Sequence, residues 1–109
     1  MIIIDANVAL EYRSLPIFHH KSELALTGPV FEEIIGLSKS EKEPILSELI
    51  KGIKIIETKE RFADDSIVEA AKKSRCSVAT FDKVLIRKLK KEGIDVIISK
   101  GEIIRAVCG

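Results

Sequence analysis

The chain has no tryptophan, one tyrosine, four phenylalanines and one methionine, so its core must be built from isoleucine, leucine, valine and alanine rather than from aromatic rings. Cysteine is almost as scarce: Cys76 and Cys108 match no metal-ligand or redox spacing and read as reduced, structural thiols. No apolar run approaches the ~18 residues that a membrane span needs. The opening Met-Ile-Ile-Ile meets Asp5 at once, too short for a signal peptide, so a cytoplasmic protein is expected. Excess charge of one sign is missing too, because 18 lysines and arginines face 17 aspartates and glutamates. That balance excludes binding of polyanions by bulk positive charge, and any basic patch has to be local.

What remains is aliphatic and charged. With 109 residues, 46% hydrophobic and 32% charged, the chain reads as a single domain over residues 1–109, one that buries roughly two-thirds of the surface its unfolded form exposes. Residues 1–4 read as a strand buried on both faces that stops at a carboxylate. A short helix over 7–12, an irregular or broken segment over 13–23 and a strand over 24–27 follow. Pro29 suits the first position of a helix that continues over 30–37. Another helix opens at Pro44, with Ile45, Leu46, Leu49 and Ile50 on one face, and ends at Gly52 before a strand over 53–56. Residues 64–73 begin with acids and end with lysines, the arrangement the helix dipole favours. A strand over 77–80, a helix over 83–91, a strand over 95–98 and a short helix near 101–107 complete the chain. Strands alternating with helices predict an α/β fold, a parallel sheet covered on both faces.

The carboxylates are unevenly chosen. Among them are only five aspartates, at 5, 64, 65, 82 and 95, and four of these fall at the edges of predicted elements. Ligands of open α/β sheets bind outside the carboxyl ends of the strands, where Asp5 and Asp82 both fall. On the helix starting at 64, Ile67, Val68 and Ala71 share a stripe with Asp64, whereas Asp65 is turned about 100° away. Phase therefore prefers Asp64, with Asp65 as the alternative, and Glu33 is preferred to Glu32 for its place beside Val30 and Leu37. Each acid also has a purely structural reading: Asp5 and Asp82 as helix caps, Asp64 and Asp65 as a dipole pair. Brought together, four carboxylates would repel one another and call for a hard divalent cation with oxygen ligands. Without histidine or cysteine, Mg²⁺ or Mn²⁺ is favoured over zinc, and the chemistry implied is phosphodiester hydrolysis.

Four segments, residues 2–10 (IIIDANVAL), 29–37 (PVFEEIIGL), 63–71 (ADDSIVEAA) and 78–97 (VATFDKVLIRKLKKEGIDVI), give the chain a pattern that resembles the PIN-domain family of metal-dependent ribonucleases, which includes VapC-type toxins and endonucleases of ribosomal RNA processing. The ADD doublet and the segment after T-x-D look more like the ribosome-processing branch and its prokaryotic relatives. The resemblance implies a three-layer α/β/α sandwich with a central, mainly parallel sheet. It also implies four acids, Asp5, Glu33, Asp64 and Asp82, around Mg²⁺ or Mn²⁺, with Asn7 and Thr80 as polar supports. Asp65 stays a further candidate ligand because either member of the doublet can be aligned. One departure is the short interval between Asp5 and Glu33, which shortens the helices usually found there.

An RNA substrate follows from this reading, which leaves room for a homodimer and for an antitoxin or a ribosome-assembly partner. Lys83, Arg87, Lys90 and Lys91 occupy the polar side of the helix over 83–91, either as a solvated face or as contacts to the RNA backbone. His19 and His20 lie in the irregular segment with no paired acids nearby and read as surface residues. The rival to a metal-dependent endoribonuclease is a catalytically inactive PIN-like module that binds RNA or protein. A phosphoacceptor receiver module is discounted, since Asp5-Ala6-Asn7 lacks the acidic pair it requires.

Overall fold

The computed structural model describes residues 1–109. Five short strands form where the apolar runs predict them: β1 (Ile2–Ile4), β2 (Leu24–Thr27), β3 (Lys54–Ile56), β4 (Ser77–Ala79) and β5 (Val96–Ile97). Between and after them come α1 (Ala6–Glu11), α2 (Gly28–Ser40), α3 (Ile45–Ile50), α4 (Ala63–Ser74), α5 (Lys83–Lys91) and α6 (Lys100–Cys108). The broken segment holds two short 3-10 turns, Pro16–His19 and Lys21–Glu23, and both histidines are exposed. α2 runs past residue 37 into the polar Ser-Lys-Ser stretch. Ser38 is buried there and its hydroxyl donates to the carbonyl of Glu43 at 2.9 Å, so the last turn is tied to the chain that follows.

All neighbouring strands pair in parallel, in the order β3-β2-β1-β4-β5. The chain winds outward from β1 through β2 to β3, then crosses back to lay β4 and β5 on the other side of β1. Right-handed crossovers running in opposite directions place their helices on opposite faces, giving the α/β/α sandwich. β1 and β2 are buried along their whole length, whereas the edge strand β3 buries only Ile56 and turns Lys54 outward, which discourages pairing with another chain. Ile3, Ile4, Leu26, Ile34, Ile67, Leu85 and Leu89 are almost wholly removed from water in one continuous aliphatic core. Lys21 reaches from its 3-10 turn to the carbonyls of Glu48 and Lys51, at 3.2 and 2.6 Å, satisfying the free end of α3.

The switch in winding direction falls between β1 and β4. In such sheets that is where a crevice opens at the carboxyl ends of the strands.

One strained residue offers a test of the frame. Arg75 caps α4 in the left-handed region, at φ 52° and ψ 46°, where a Cβ costs about 1–2 kcal/mol. Glycine removes that strain but adds about 0.4–1 kcal/mol of unfolded-chain entropy. Arg75→Gly is expected to raise stability by about 0.5–1 kcal/mol in a denaturant titration, and a loss of stability would contradict the assigned cap.

Candidate active site

The crevice is organised by one hydroxyl. Thr80, fully buried just after β4, donates its Oγ1 hydrogen to Asp5 Oδ2 at 2.7 Å and accepts the backbone N–H of Asp82 at 3.1 Å. Asp5 follows β1 directly, is only 6% exposed, donates its own N–H to Ala79 across the sheet and accepts the N–H of Ala6 at 2.8 Å. Asp82 accepts the N–H groups of Val84 and Leu85 at 2.9 and 3.2 Å, so it caps α5. Both aspartates therefore cap helices as well as standing at the strand ends. The Thr80 hydroxyl bonds the carboxylate of Asp5 and only the main chain of Asp82. Asn7 Oδ1 accepts the N–H of Phe81 at 3.4 Å, and the Phe81 ring packs edge-on against Tyr12 with centroids 5.1 Å apart. The turn carrying Asp82 is thus fastened to α1 at two points.

The other acids come from α2 and α4, whose first turns are joined by the buried Thr27 and Ser66 hydroxyls, 2.7 Å apart. Thr27 caps α2 and Ser66 donates to the carbonyl of Ala63. Asp5, Asn7, Glu33, Asp64 and Asp82 line one cleft of about 240 Å³. Asp65 does not join them. It points into the groove between α4 and α5 and pairs with Lys88 at 3.7 Å. Glu32 likewise turns away from the cleft, into a neighbouring groove beside residues 58–63. Lys83, Arg87, Lys90 and Lys91 are all exposed on α5, but Lys91 faces the α4 groove together with Lys72, Lys73 and Lys88.

No family model matches the chain, and no curated protein does. Among solved structures, that of the PIN domain endonuclease Utp24 is similar over 90% of this chain and 85% of the other, with a TM-score of 0.64 and 23% sequence identity. The chain has the PIN-domain fold.

Charge is crowded in the cleft of this PIN fold. Burial pushes the Asp5 carboxyl above its ordinary range, against the Thr80 and Ala6 hydrogen bonds, and the charge of Asp82 adds to the rise. Glu33 is raised by burial and then by the charges of Asp5 and Asp64. Asp64 is raised by burial and by Asp82 and Asp5, with Lys88 as a partial counterweight. An all-oxygen donor set short of positive charge suits a hard divalent cation in its chemistry. In its geometry the cleft is open: no three acidic, histidine or cysteine side chains stand close enough to form a ready-made cage. Glu33 lies exposed on one wall and Asp64 half-buried on another.

Three contributors escaped the sequence reading. The Thr27–Ser66 pair joins residues in two helices, and no spacing rule connects them. Lys88 was passed over because only the packing of α5 against α4 brings it to Asp65 and within reach of Asp64. The Tyr12–Phe81 contact depends on how the turn after β4 folds back over α1.

Two outcomes are expected. Thr80→Val keeps the shape but leaves the Asp5 carboxylate and the Asp82 N–H without their shared partner, at a cost of about 1–3 kcal/mol. Chemical denaturation measures it, and a loss well under that range would mean that water replaces the hydroxyl. The second concerns pH. Asp5, Glu33 and Asp64 have folded pKa values above unfolded ones of 3.8 and 4.5, so in this window the folded chain binds more protons than the unfolded chain. Their stabilising effect is present at low pH and lost as pH rises through the raised values. Glu69, lowered by the N–H groups of Lys59 and Glu60, has the opposite sign and loses its contribution only as pH falls below 4.5. The thermal midpoint should fall as pH rises above the ordinary carboxylate range, and Asp64→Asn should flatten that slope. Parallel profiles for wild type and variant would refute the raised carboxyls.

Proposed function

We propose that residues 1–109 form one PIN-like domain that hydrolyses RNA phosphodiester bonds with Mg²⁺ or Mn²⁺. The observation that carries this reading is the meeting of Asp5, Glu33, Asp64 and Asp82, from four separate segments, in one cleft at the switch point of the sheet. The shared fold with a PIN domain endonuclease supports nuclease chemistry, and the resemblance to PIN-family ribonucleases supports RNA as the substrate class.

Asp5 and Asp82 are the most rigid donors, because each is held by the main chain and by Thr80. Glu33 and Asp64 complete the ligand set from the opposite walls, and Asp65 stays outside it in its pair with Lys88. Divalent ions held by such carboxylates supply charge neutralisation at phosphate oxygens, a lowered pKa for the attacking water and stabilisation of the leaving oxygen. Asn7 and Thr80 act by positioning: they fix the turn after β4 so that both aspartates hold one orientation. Lys83, Arg87, Lys90 and Lys91 hold the RNA backbone. Lys83 stands beside Asp82, and the last two lie about 10–12 Å farther along α5 at roughly 1.5 Å per residue.

The test combines folding, binding and turnover. Asp5→Asn and Asp82→Asn should each lower metal-dependent RNA cleavage by roughly a hundredfold or more and remove the thermal stabilisation that magnesium gives wild type at neutral pH. Asp64→Asn should do much greater damage than Asp65→Asn. Wild-type protein that is stabilised by magnesium yet cuts no RNA would establish a binding module in place of the enzyme. Equal losses at positions 64 and 65 would remove Asp64 from its assigned role.

A further inference from the structure

Phe62 has no partner in the core. It is 76% exposed, more than any other large apolar side chain, and it sits two residues before Asp64. Its backbone is nonetheless tightly held. The carboxylate of Glu69, nearly two turns into α4, accepts the N–H of Lys59 on both oxygens at 3.0 and 2.9 Å and the N–H of Glu60 at 3.0 Å. The Thr58 hydroxyl donates to the carbonyl of Glu60 at 3.1 Å, and the Phe62 carbonyl accepts the N–H of Ser66 at 2.9 Å. The clamp fixes the backbone that carries the ring, so little backbone entropy is lost when something packs against it.

The ring borders a groove of about 680 Å³ whose two walls differ in charge. Pro29, Glu32 and Glu33 of α2 form one wall, and residues 58–63 form the other. On the second wall Lys59 and Arg61 are exposed and neither makes an ion pair, with Glu60 as the only acid among them. Glu33 and Ala63 also line the acid cleft, so groove and cleft are continuous. An aromatic face flanked by the exposed Lys59 and Arg61, opening onto a group of acids, fits an unpaired nucleotide: the base stacks on the ring and its phosphates meet the cations. A duplex keeps its bases stacked on one another and has no face to offer.

We propose that Phe62, with Lys59 and Arg61, forms a stacking platform that seats one unpaired nucleotide of a single-stranded RNA next to the acid cleft. The proposal rests on the ribonuclease reading for the identity of the strand, and Phe62 is a positioning residue that selects single-stranded substrate.

The absence of tryptophan makes the test direct. Phe62→Trp introduces the only indole of the chain at the platform, and its fluorescence reports stacking whether or not a strand is cut. Titrated with a short oligouridine RNA, in magnesium and in chelator, this variant should show quenching that saturates, while the same length of duplex RNA should give none. Phe62→Ala should weaken oligouridine binding about tenfold, as expected for the loss of one stacked base, and Phe62→Trp should restore it. Quenching without cleavage by any form of the protein supports the platform and overturns only the hydrolytic reading. Cleavage that persists unchanged in Phe62→Ala, with no quenching in Phe62→Trp, overturns the platform alone. Equal quenching by duplex overturns the selection for unpaired strands. A dimer in sedimentation that Phe62→Ala dissociates, with RNA binding unaltered, overturns the proposal by assigning the ring to a contact between copies.

Discussion

The Thr80 hydroxyl is the interaction on which the rest of the cleft depends. It is fully buried, uses its hydrogen on Asp5 and its lone pairs on the main chain of Asp82, and so converts two neighbouring strand ends into one unit. Valine at this position has the same shape and neither function. Asp5 can remain at 6% exposure because its oxygens are occupied by Thr80 and by the first N–H of α1. A buried carboxylate with no donor would be far costlier. Asn7 and the Tyr12–Phe81 contact fix the same turn from the side, leaving Asp82 little freedom beyond its capping geometry.

This arrangement sets local order against electrostatics. The acids repel one another and sit partly out of water, which works against the folded state, while the aliphatic core and the Thr27–Ser66 link hold the walls of the cleft in place. Functional sites commonly concentrate such unfavourable terms and depend on the scaffold to offset them. Lys88 illustrates the balance. It relieves Asp64 from a distance and pairs with Asp65, so the outward member of the doublet anchors a cation beside the inward one.

Most of the fold was legible because its signals are local. The apolar tetrads at 1–4, 24–27 and 53–56 became strands within a residue or so, Pro29 and Pro44 marked helix starts, and Gly93 marked the end of α5. Strand order was not legible in the same way, since nothing in a single sequence states that β4 lies beside β1; the structure supplies that pairing, and with it the approach of Asp5 and Asp82. Helix phase separated Asp64 from Asp65 because the apolar stripe of α4 is regular. On α5 the same device placed Lys83, Arg87, Lys90 and Lys91 on the exposed side, and Lys91 also borders the α4 groove. What stayed hidden was tertiary: the Thr27–Ser66 pair, the place of Lys88 and the clamp of Glu69 on residues 59 and 60 all join segments that local pattern cannot relate.

The central position of β1 has a consequence for the order of folding. Asp5 and its partner hydroxyl on Thr80 stand 75 residues apart in the chain. Contacts of such long range form late, after the entropy of closing a large loop has been overcome. A growing polypeptide that has folded β1, β2 and β3 therefore carries Asp5 and Glu33 without the turn that orients the first of them. The cleft lined by all four acids is complete only once the turn after β4 has joined the sheet.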